Sequence, residues 1–344
     1  MFDGIEVDML DVGDADCILV TRWIAGVATY VLIDGGNAGD YEKVRAFLKS
    51  RGISYIHALV STHGHDDHAA GLVKLVNDPS LFFGSVYIHI PQNHVRMEKV
   101  QTALRLAAGN REALLIEKTL TTVQDLLSAL AARLITPIEP FAGVEIAGFL
   151  TVVGPTKEYY KELVQEFEDA DAIKTIGQKN LERMMDNFFY SNLLEKGLIE
   201  AALLEDPQTT PENNSSVILA TICNGAKYLF TSDAGAPALH RARNTYQIDQ
   251  CNWMQIPHHG SRHNITAALI EQFAPKVAYV SAAGNGDHPR RAVVNAFKEI
   301  GASVFSTHYP DGADLYHHRG QVPARVGYVS ATPLYDEPDK SKAA

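Results

Sequence analysis

The stretch with the clearest chemical potential lies at residues 63–68 and reads HGHDDH, an H-x-H-x-D-H pattern. Two histidines separated by one residue can bind one metal ion together, and the aspartate and histidine that follow can bind a second. Imidazole and carboxylate ligands without a thiolate suit Zn²⁺, Mn²⁺ or iron. The pattern therefore predicts a site for divalent metal ions.

Two later segments end in side chains that could complete such a site. Residues 228–232 are largely apolar and lead to Asp233, and residues 253–257 lead to His258 and His259. An aspartate after a strand is usually a turn or cap residue, but beside the first motif Asp233 becomes a candidate bridge between two ions. The histidine pair favours a metal role, and the sequence leaves open which of the two is the ligand.

The elements that must position these residues follow from apolar runs and turn signals. The metal motif begins where a predicted strand at 56–60 stops, and a predicted helix at 70–76 follows it. Other strands are predicted at 5–10, 17–21, 28–33, 86–90, 144–153, 217–222, 227–230, 253–256, 277–280 and 304–306, and other helices at 41–49 and 291–300. Two strand-rich segments with helices between them predict an α/β fold in which two sheets pack face to face between helices.

Two helical stretches interrupt this pattern, at about 92–134 and 156–212. The second carries more acidic than basic residues, which favours solvated surface helices, and a lid over the site is the alternative. We expect one domain over residues 1–332 with these stretches as insertions, followed by a polar tail at 333–344.

Composition limits the function classes. The chain has 344 residues, 46% of them hydrophobic, and a formal net charge of −11. This is an ordinary globular composition, which excludes a disordered or fibrous chain. An acidic protein does not bind polyanions through bulk electrostatics, so we expect no avid binding of duplex DNA.

The sequence also bears on localisation. Its three cysteines lie far apart and form neither a Cys-x-x-Cys pair nor a disulfide framework, which fits a reducing compartment. No signal peptide and no apolar run of ~18 residues is recognisable. We expect a cytoplasmic protein without a membrane partner, and the sequence does not indicate its oligomeric state.

The motif set resembles the metallo-β-lactamase superfamily and, within it, the soluble hydrolase domain of bacterial competence (DNA-uptake) proteins. The resemblance covers residues 1–90 and about 136–330 apart from the second insertion. The matching segments are DVGDADC at 11–17, LIDGG at 32–36, HGHDDH at 63–68, NNSS at 213–216, TSD at 231–233, PHHGS at 257–261 and DHP at 287–289. It implies an αββα sandwich of the metallo-β-lactamase type with helical insertions.

The resemblance also implies a role for each residue of a site with two divalent ions, Zn²⁺ first and Mn²⁺ or iron as alternatives. His63 and His65 would bind the first ion, and Asp233 would bridge both ions. The second ion would be bound by Asp67, His68 and His259. His258 remains an alternative to His259, and Asp34 would orient a ligating histidine by a hydrogen bond.

This sequence departs from the superfamily pattern at one important place. Most members have a third histidine for the first ion just before the strand that carries the bridging aspartate, and here Asn213 and Asn214 lie in that neighbourhood. His89 and His94 are conceivable substitutes, although His89 lies in a strand pattern that favours a core position. At the rim, Asp14 and its neighbour Ala15 replace a Gln and a Gly. We therefore expect the first ion to bind more weakly.

A pair of metal ions can activate water and stabilise a displacement at phosphorus. The first hypothesis is therefore a dinuclear phosphodiesterase acting on a small phosphodiester or a short single strand of nucleic acid, with Asp67 and Asp233 as catalytic metal-site residues. His288, and His308 as a weaker candidate, could protonate the leaving group or bind phosphate.

Two other hypotheses stay open. One is a hydrolase of a lactam, lactone or thioester, with Asn213, Asn214 and the insertions shaping its substrate pocket, because a fold does not determine which bond is cleaved. The other is a non-catalytic interaction module that keeps metal ions for structure.

Overall fold

The computed structural model describes residues 1–175, 203–284, 288–325 and 330–334. Its first sheet has six strands in the order β13-β1-β2-β3-β4-β5. These strands are β1 (Asp3–Met9), β2 (Ile18–Ile24), β3 (Val27–Ile33), β4 (Tyr55–Ser61), β5 (Phe82–Ile88) and β13 (Leu315–Gln321). Strands β3, β4 and β5 run parallel, and the pairs β13–β1, β1–β2 and β2–β3 are antiparallel.

The second sheet has seven strands in the order β12-β11-β10-β9-β8-β7-β6. They are β6 (Glu145–Ile146), β7 (Leu150–Gly154), β8 (Ile218–Cys223), β9 (Ala226–Phe230), β10 (Trp253–Gln255), β11 (Val277–Val280) and β12 (Ser303–Ser306). Strands β9 to β12 run parallel, and the pairs β6–β7, β7–β8 and β8–β9 are antiparallel.

The two sheets pack face to face. One buried cluster combines Val7 and Val31 of the first sheet with Leu219, Phe230 and Trp253 of the second. Alternating apolar residues on the inner faces therefore form a common core between the sheets.

Helices cover both outer faces. They are α1 (Tyr41–Ser50), α2 (Asp66–Asn77), α3 (Met97–Leu106), α4 (Arg111–Ala132), α5 (Lys157–Gln165), α6 (Pro211–Asn214), α7 (Ala236–Tyr246), α8 (Ala267–Phe273) and α9 (Arg291–Glu299). Residues of α1, α2 and α4 bury apolar side chains against the first sheet, and those of α7, α8 and α9 do so against the second. The predicted α/β class, with two sheets between helices, is confirmed.

The described residues add detail that the sequence patterns did not give. Helices α3 and α4 lie in the stretch 92–134, where helix was predicted; of the stretch 156–212, residues 176–202 lie outside the described residues. Strand β13 and helices α7 and α8 were not predicted. Within the described ranges, no helix combines the length and the apolar character that crossing a membrane requires. The partition into one domain with two insertions stays a prediction.

Candidate metal centre

The H-x-H-x-D-H motif forms the connection from β4 to α2. His65 is the N-cap residue of α2, and Asp66 and Asp67 occupy its first turn, where the helix dipole favours negative charge. The amide of Gly35 donates to the carbonyl of His68 at 2.9 Å, which fixes the loop after β3 against the start of α2. The motif therefore lies at the carboxyl end of β4, where it contacts the loop that follows the parallel neighbour β3.

The insertion helix α4 packs directly on the motif. A Cβ atom at Gly64 would lie 2.6 Å from Cγ2 of Thr119 and 2.7 Å from Cγ2 of Val123, so only glycine fits there without movement. Asp66 accepts a hydrogen bond of 2.6 Å from the Thr122 hydroxyl and pairs with the Lys118 ammonium at 2.7 Å. The insertion thus fixes the motif from outside the sheets.

The side chains of both sheets converge on Asp233, which is fully buried. Two groups of residues share Asp233. Within each group, all of the ligand atoms lie within 4.8 Å of one another, close enough to bind one metal ion together. The first group is His63, His65 and Asp233, and the second is Asp67, His68, Asp233 and His259.

Each carboxylate oxygen of Asp233 faces one side of this cluster. Oδ1 lies 3.4 Å from Nε2 of His68 and 4.0 Å from Nε2 of His259. Oδ2 lies 3.8 Å from Nε2 of His63 and 3.6 Å from Nε2 of His258. Asp67 approaches the second group from α2, with Oδ2 3.5 Å from Nε2 of His259. Asp233 therefore lies between the two groups, with one carboxylate oxygen toward each.

Hydrogen bonds at Nδ1 orient these imidazoles. Nδ1 of His68 donates to Oδ2 of Asp34 at 2.8 Å, and Nδ1 of His259 donates to the carbonyl of Ser281 at 3.0 Å. Nδ1 of His63 lies 3.3 Å from the hydroxyls of Thr62 and Ser216. Because Nδ1 of His68 and of His259 donates to an oxygen outside the cluster, Nε2 is the ring nitrogen that each of them presents to the centre.

The cluster fits a pair of divalent cations. In the described part of the chain, six of its buried atoms have no hydrogen-bond partner: Nε2 of His63, His65, His68 and His259, and both carboxylate oxygens of Asp233. Buried acceptors without partners are costly, and acceptors that converge on one point need a positive charge between them. Imidazole and carboxylate donors without thiolate are a set that Zn²⁺, Mn²⁺ and iron accept.

The electrostatics act differently on the individual ligands. Burial alone would lower the pKa of His68 and of His259, but the neighbouring carboxylates outweigh it and raise that of His68 well above its ordinary value and that of His259 to about 9, so a metal ion has to displace a proton from each of these rings. Burial lowers the pKa of His63 well below its ordinary value and that of His65 to about 4, so both rings are neutral at pH 7. Burial alone would raise the pKa of Asp67 and Asp233, but the surrounding imidazoles outweigh it and lower both, so both carboxyls are ionised.

The remaining predicted residues lie around this cluster. The ring of His288 lies 5.7 Å from that of His258 and 5.9 Å from that of His259, with Nδ1 3.8 Å from Oδ1 of Asp14. His288 is therefore at the rim of the site. His308 packs against Gly284, whose amide donates to the carbonyl of His288 at 3.1 Å, and its Nδ1 is 2.5 Å from the Ser306 hydroxyl.

The two candidate substitutes for the missing third histidine belong to neither group. His89 stacks on Tyr160 at 4.3 Å between ring centroids, and His94 places Nε2 2.8 Å from Oε1 of Glu139. Asn213 and Asn214 are buried beside the cluster, each with an Oδ1 that has no hydrogen-bond partner in the described ranges.

Sequence reasoning missed Gln255 and Asp16, which hydrogen-bond to each other and hold the loops beside the site. Nε2 of Gln255 donates to Oδ2 of the buried Asp16 at 2.7 Å, and Oε1 of Gln255 accepts from the amides of Thr231 and Ser232. These contacts link the loop after β1 to the end of β9. Gln255 lies at the end of a short apolar strand, and no motif marked it.

The comparisons with known proteins agree with this geometry. Residues 10–80, which include the H-x-H-x-D-H motif, match the model of the Metallo-beta-lactamase superfamily. Among curated proteins it is similar to ComE operon protein 3 of Bacillus subtilis (strain 168), with 23% identity over 352 residues. That match covers 97% of this chain and 35% of the relative, so the chain spans about a third of that protein's length. The superfamily match and the ligand cluster support a metal-dependent hydrolase.

Solved structures with a similar fold include a new diphosphatase from the PhnP family, at 13% identity and a TM-score of 0.42, covering 93% of this chain and 100% of that one. Zn²⁺-bound PqqB from Methylobacterium extorquens is another, at 13% identity and a TM-score of 0.40, covering 86% of each chain.

Proposed function

We propose that the protein is a dinuclear metal-dependent phosphodiesterase that acts on a small phosphodiester or a short single strand. The observation that carries the proposal is the convergence of two ligand groups on opposite oxygens of Asp233, with the imidazole of His288 at the rim. His63, His65 and Asp233 would hold one ion, and Asp67, His68, His259 and Asp233 the other. Two such ions activate water at neutral pH and take up charge on the phosphoryl oxygens.

His288 supplies what the leaving group needs in this proposal. Burial would raise the pKa of Asp14, but its hydrogen bonds with His288 and with the amide of Ala283 lower it to about 2. Asp14 is therefore ionised beside His288, and the imidazole of His288 can give a proton to the departing alkoxide or bind a phosphate oxygen. About a quarter of the His288 side chain is exposed, so substrate can reach it.

The charge of the chain supports a small or single-stranded substrate. With 30 basic against 41 acidic residues, the protein offers little general attraction to a polyanion. Long duplex DNA binds through many phosphate contacts, and each such contact weakens as salt increases. The metal centre therefore has to provide most of the binding energy for a phosphodiester, and it does so at one phosphate.

The test is hydrolysis of bis(p-nitrophenyl) phosphate by the protein loaded with Zn²⁺ or Mn²⁺, beside a lactam, a lactone and a thioester. We expect turnover of the phosphodiester that is lost after chelation. His288→Asn is expected to lower the rate on a dinucleotide, whose departing alkoxide needs a proton, by about 10²- to 10⁴-fold, the usual contribution of a general acid. The rate on bis(p-nitrophenyl) phosphate should fall much less, because nitrophenolate leaves without a proton. His240→Asn, a substitution on α7, is the matched control and is expected to retain the wild-type rate.

Plasmid and short single-stranded oligonucleotides then separate the substrate classes. Slow or absent plasmid cleavage at 150 mM salt with cleavage of the oligonucleotide supports the proposal, and rapid plasmid degradation contradicts its size limit. Turnover of a lactam, lactone or thioester without phosphodiester turnover would replace the proposed activity by the second hypothesis. Bound metal without any turnover would favour an interaction module.

A further inference from the structure

Among the residues that the structure describes, the first ligand group has two imidazoles, those of His63 and His65, besides the shared carboxylate of Asp233. The place where a third histidine is expected from the resemblance is occupied by Asn213 and Asn214. His258 lies outside the 4.8 Å spacing that defines this group, but its Nε2 approaches the same oxygen of Asp233 as that of His63 does. We propose that His258 is the third imidazole ligand of the first metal ion, so that the consecutive residues His258 and His259 serve different ions.

The distances to Asp233 separate the two histidines. Nε2 of His258 lies 3.6 Å from Oδ2, the same oxygen that Nε2 of His63 approaches at 3.8 Å. Nε2 of His259 instead lies 4.0 Å from Oδ1 and 3.5 Å from Oδ2 of Asp67. His258 therefore lies on the side of the first group, and His259 on the side of the second.

The tautomer of His258 suits a ligand. Nδ2 of Asn264 donates to the backbone carbonyl of Asp233 at 2.7 Å, so its Oδ1 is the atom that faces Nδ1 of His258 at 2.8 Å. Nδ1 also lies 3.4 Å from Nδ2 of Asn213, but the contact with Asn264 is 0.6 Å shorter, so we place the hydrogen on Nδ1, donating to Asn264. Nε2 is left as an acceptor opposite another acceptor, the carboxylate of Asp233, and this pair is attractive only with a cation between them.

The backbone is bent so that neighbouring side chains reach one centre. His258 has φ of 49° and His259 has φ of 53°, both in the left-handed region, and Gly260 follows at 83°. Non-glycine residues seldom adopt such a conformation, and it tends to be retained at functional sites. In an extended strand adjacent side chains point to opposite faces. Here the turn directs both imidazoles to Asp233.

This inference rests on the two-metal site of the proposed function, and its test measures metal binding in the absence of substrate. The metal-free protein is titrated with Zn²⁺ alone against a chromophoric chelator, and tight equivalents are counted. Asparagine tolerates a positive φ, so His258→Asn and His259→Asn keep the turn. His65→Asn removes a ligand of the first group, and asparagine suits the N-cap position that His65 occupies.

Double variants give the decisive count. If His258 and His65 bind the same ion, the double variant His65→Asn/His258→Asn retains one equivalent at wild-type affinity. The double variant His258→Asn/His259→Asn lowers the affinity for both ions at least about tenfold, because loss even of groups that only orient ligands costs 10–100-fold. Circular dichroism checks that each variant is folded.

Two results would overturn the inference while leaving the proposed function intact. One is a His258→Asn variant that binds two equivalents with unchanged affinity. The other is the reverse pattern, in which His258→Asn/His259→Asn keeps one wild-type equivalent and His65→Asn/His258→Asn keeps none. A wild-type protein that binds no transition metal would overturn both the inference and the metal-dependent function.

Discussion

Asp34 and His68 are joined by a hydrogen bond of 2.8 Å, in which Nδ1 of the imidazole donates to Oδ2 of the carboxylate. The same carboxylate accepts the amide of Thr62 at 2.8 Å and its hydroxyl at 2.6 Å. One buried side chain from the loop after β3 therefore orients a metal-site imidazole on α2 and the residue before His63. The three contacts use both oxygens of the carboxylate as acceptors, and an amide in its place would keep only one of these oxygens.

We predict that Asp34→Asn lowers the affinity of the second ion by about 10–100-fold, the effect usual for a group that orients a ligating histidine. The amide can present an oxygen to only some of the three donors, so the His68 ring loses its fixed tautomer. A chelator competition titration with Zn²⁺ measures the change.

Asp40→Asn is the control for that variant, since Asp40 lies on the same loop and accepts only the amide of Asn37 through its side chain. It is expected to leave both affinities within about twofold of wild type. Equal affinities in Asp34→Asn and wild type would show that Asp34 does not orient a ligand.

Asp233→Asn is predicted to abolish phosphodiester turnover while the protein stays folded. A neutral amide bridges two cations poorly, and both ligand groups share this carboxylate. Initial rates on bis(p-nitrophenyl) phosphate, with thermal unfolding as the fold control, measure the effect. A folded variant with more than about a tenth of the wild-type rate would refute the bridging assignment, because weaker perturbations of metal sites already cost 10–100-fold.

Gly64→Ala is predicted to destabilise the protein by about 1–3 kcal/mol, as overpacking of a core usually does, and to weaken the first metal site. The added methyl overlaps Cγ2 of Thr119 and of Val123 on α4. Urea unfolding measures the free energy. The control is Gly39→Ala, where an added Cβ meets no atom within 4 Å.

Removing the two overlapping methyl groups provides a rescue of Gly64→Ala. The triple variant with Thr119→Ser and Val123→Ala is expected to regain metal affinity even though it loses some core packing. If Gly64→Ala is as stable as Gly39→Ala, the contact between α4 and the motif is not tight in solution.

The buried His89 leads us to predict that the stability of the protein falls as the pH is lowered from 7 to 5. Burial, with a smaller effect of His94, lowers the pKa of His89 to about 3, against about 6.5 in an unfolded chain. Between these values the unfolded chain binds a proton that the folded protein does not, so stability falls as pH falls. By pH 5 this group costs about 2 kcal/mol relative to pH 7.

His89→Phe removes this titration and retains an aromatic ring for the stack on Tyr160. Urea unfolding at pH 7 and pH 5 is expected to show that the wild type loses about 2 kcal/mol more than the variant. His318→Phe, at an exposed position of β13, should lose as much as the wild type. Equal losses in wild type and His89→Phe would mean that His89 takes up its proton without unfolding.

The sequence was sufficient for the class of fold and for the residues that meet at the centre. The H-x-H-x-D-H pattern, Asp233 and the histidine pair are each local signals at strand ends, and strands that run parallel bring their carboxyl ends to one edge. Helix α8 also carried a usable signal that was missed: Thr266 caps it through the Leu269 amide. Strand β13 gave no such signal, because LYHHRGQ lacks apolar alternation and its second half is exposed.

The contacts that orient the ligands could not be predicted, because they join residues far apart in sequence. Gln255 donates to Asp16 across 239 positions. The directions of the two imidazoles of His258 and His259 depend on the left-handed backbone of both residues, which no local sequence pattern indicated. Likewise, a predicted insertion carries no information about its docking on Gly64. Tertiary packing alone determines these contacts.

The centre also joins the two halves of the molecule. Histidines of the first sheet and Asp233 of the second meet where Thr62 and Ser232, 170 positions apart, share a hydrogen bond of 2.7 Å. Metal ions bound there would act as a reversible cross-link that closes a very long loop and ties the sheets together. The melting temperature would then rise with the logarithm of free metal concentration, because each tenfold excess over Kd adds about 1.4 kcal/mol to the folded state. A cell that restricts transition metals would in this way control how long the protein persists as well as how fast it works.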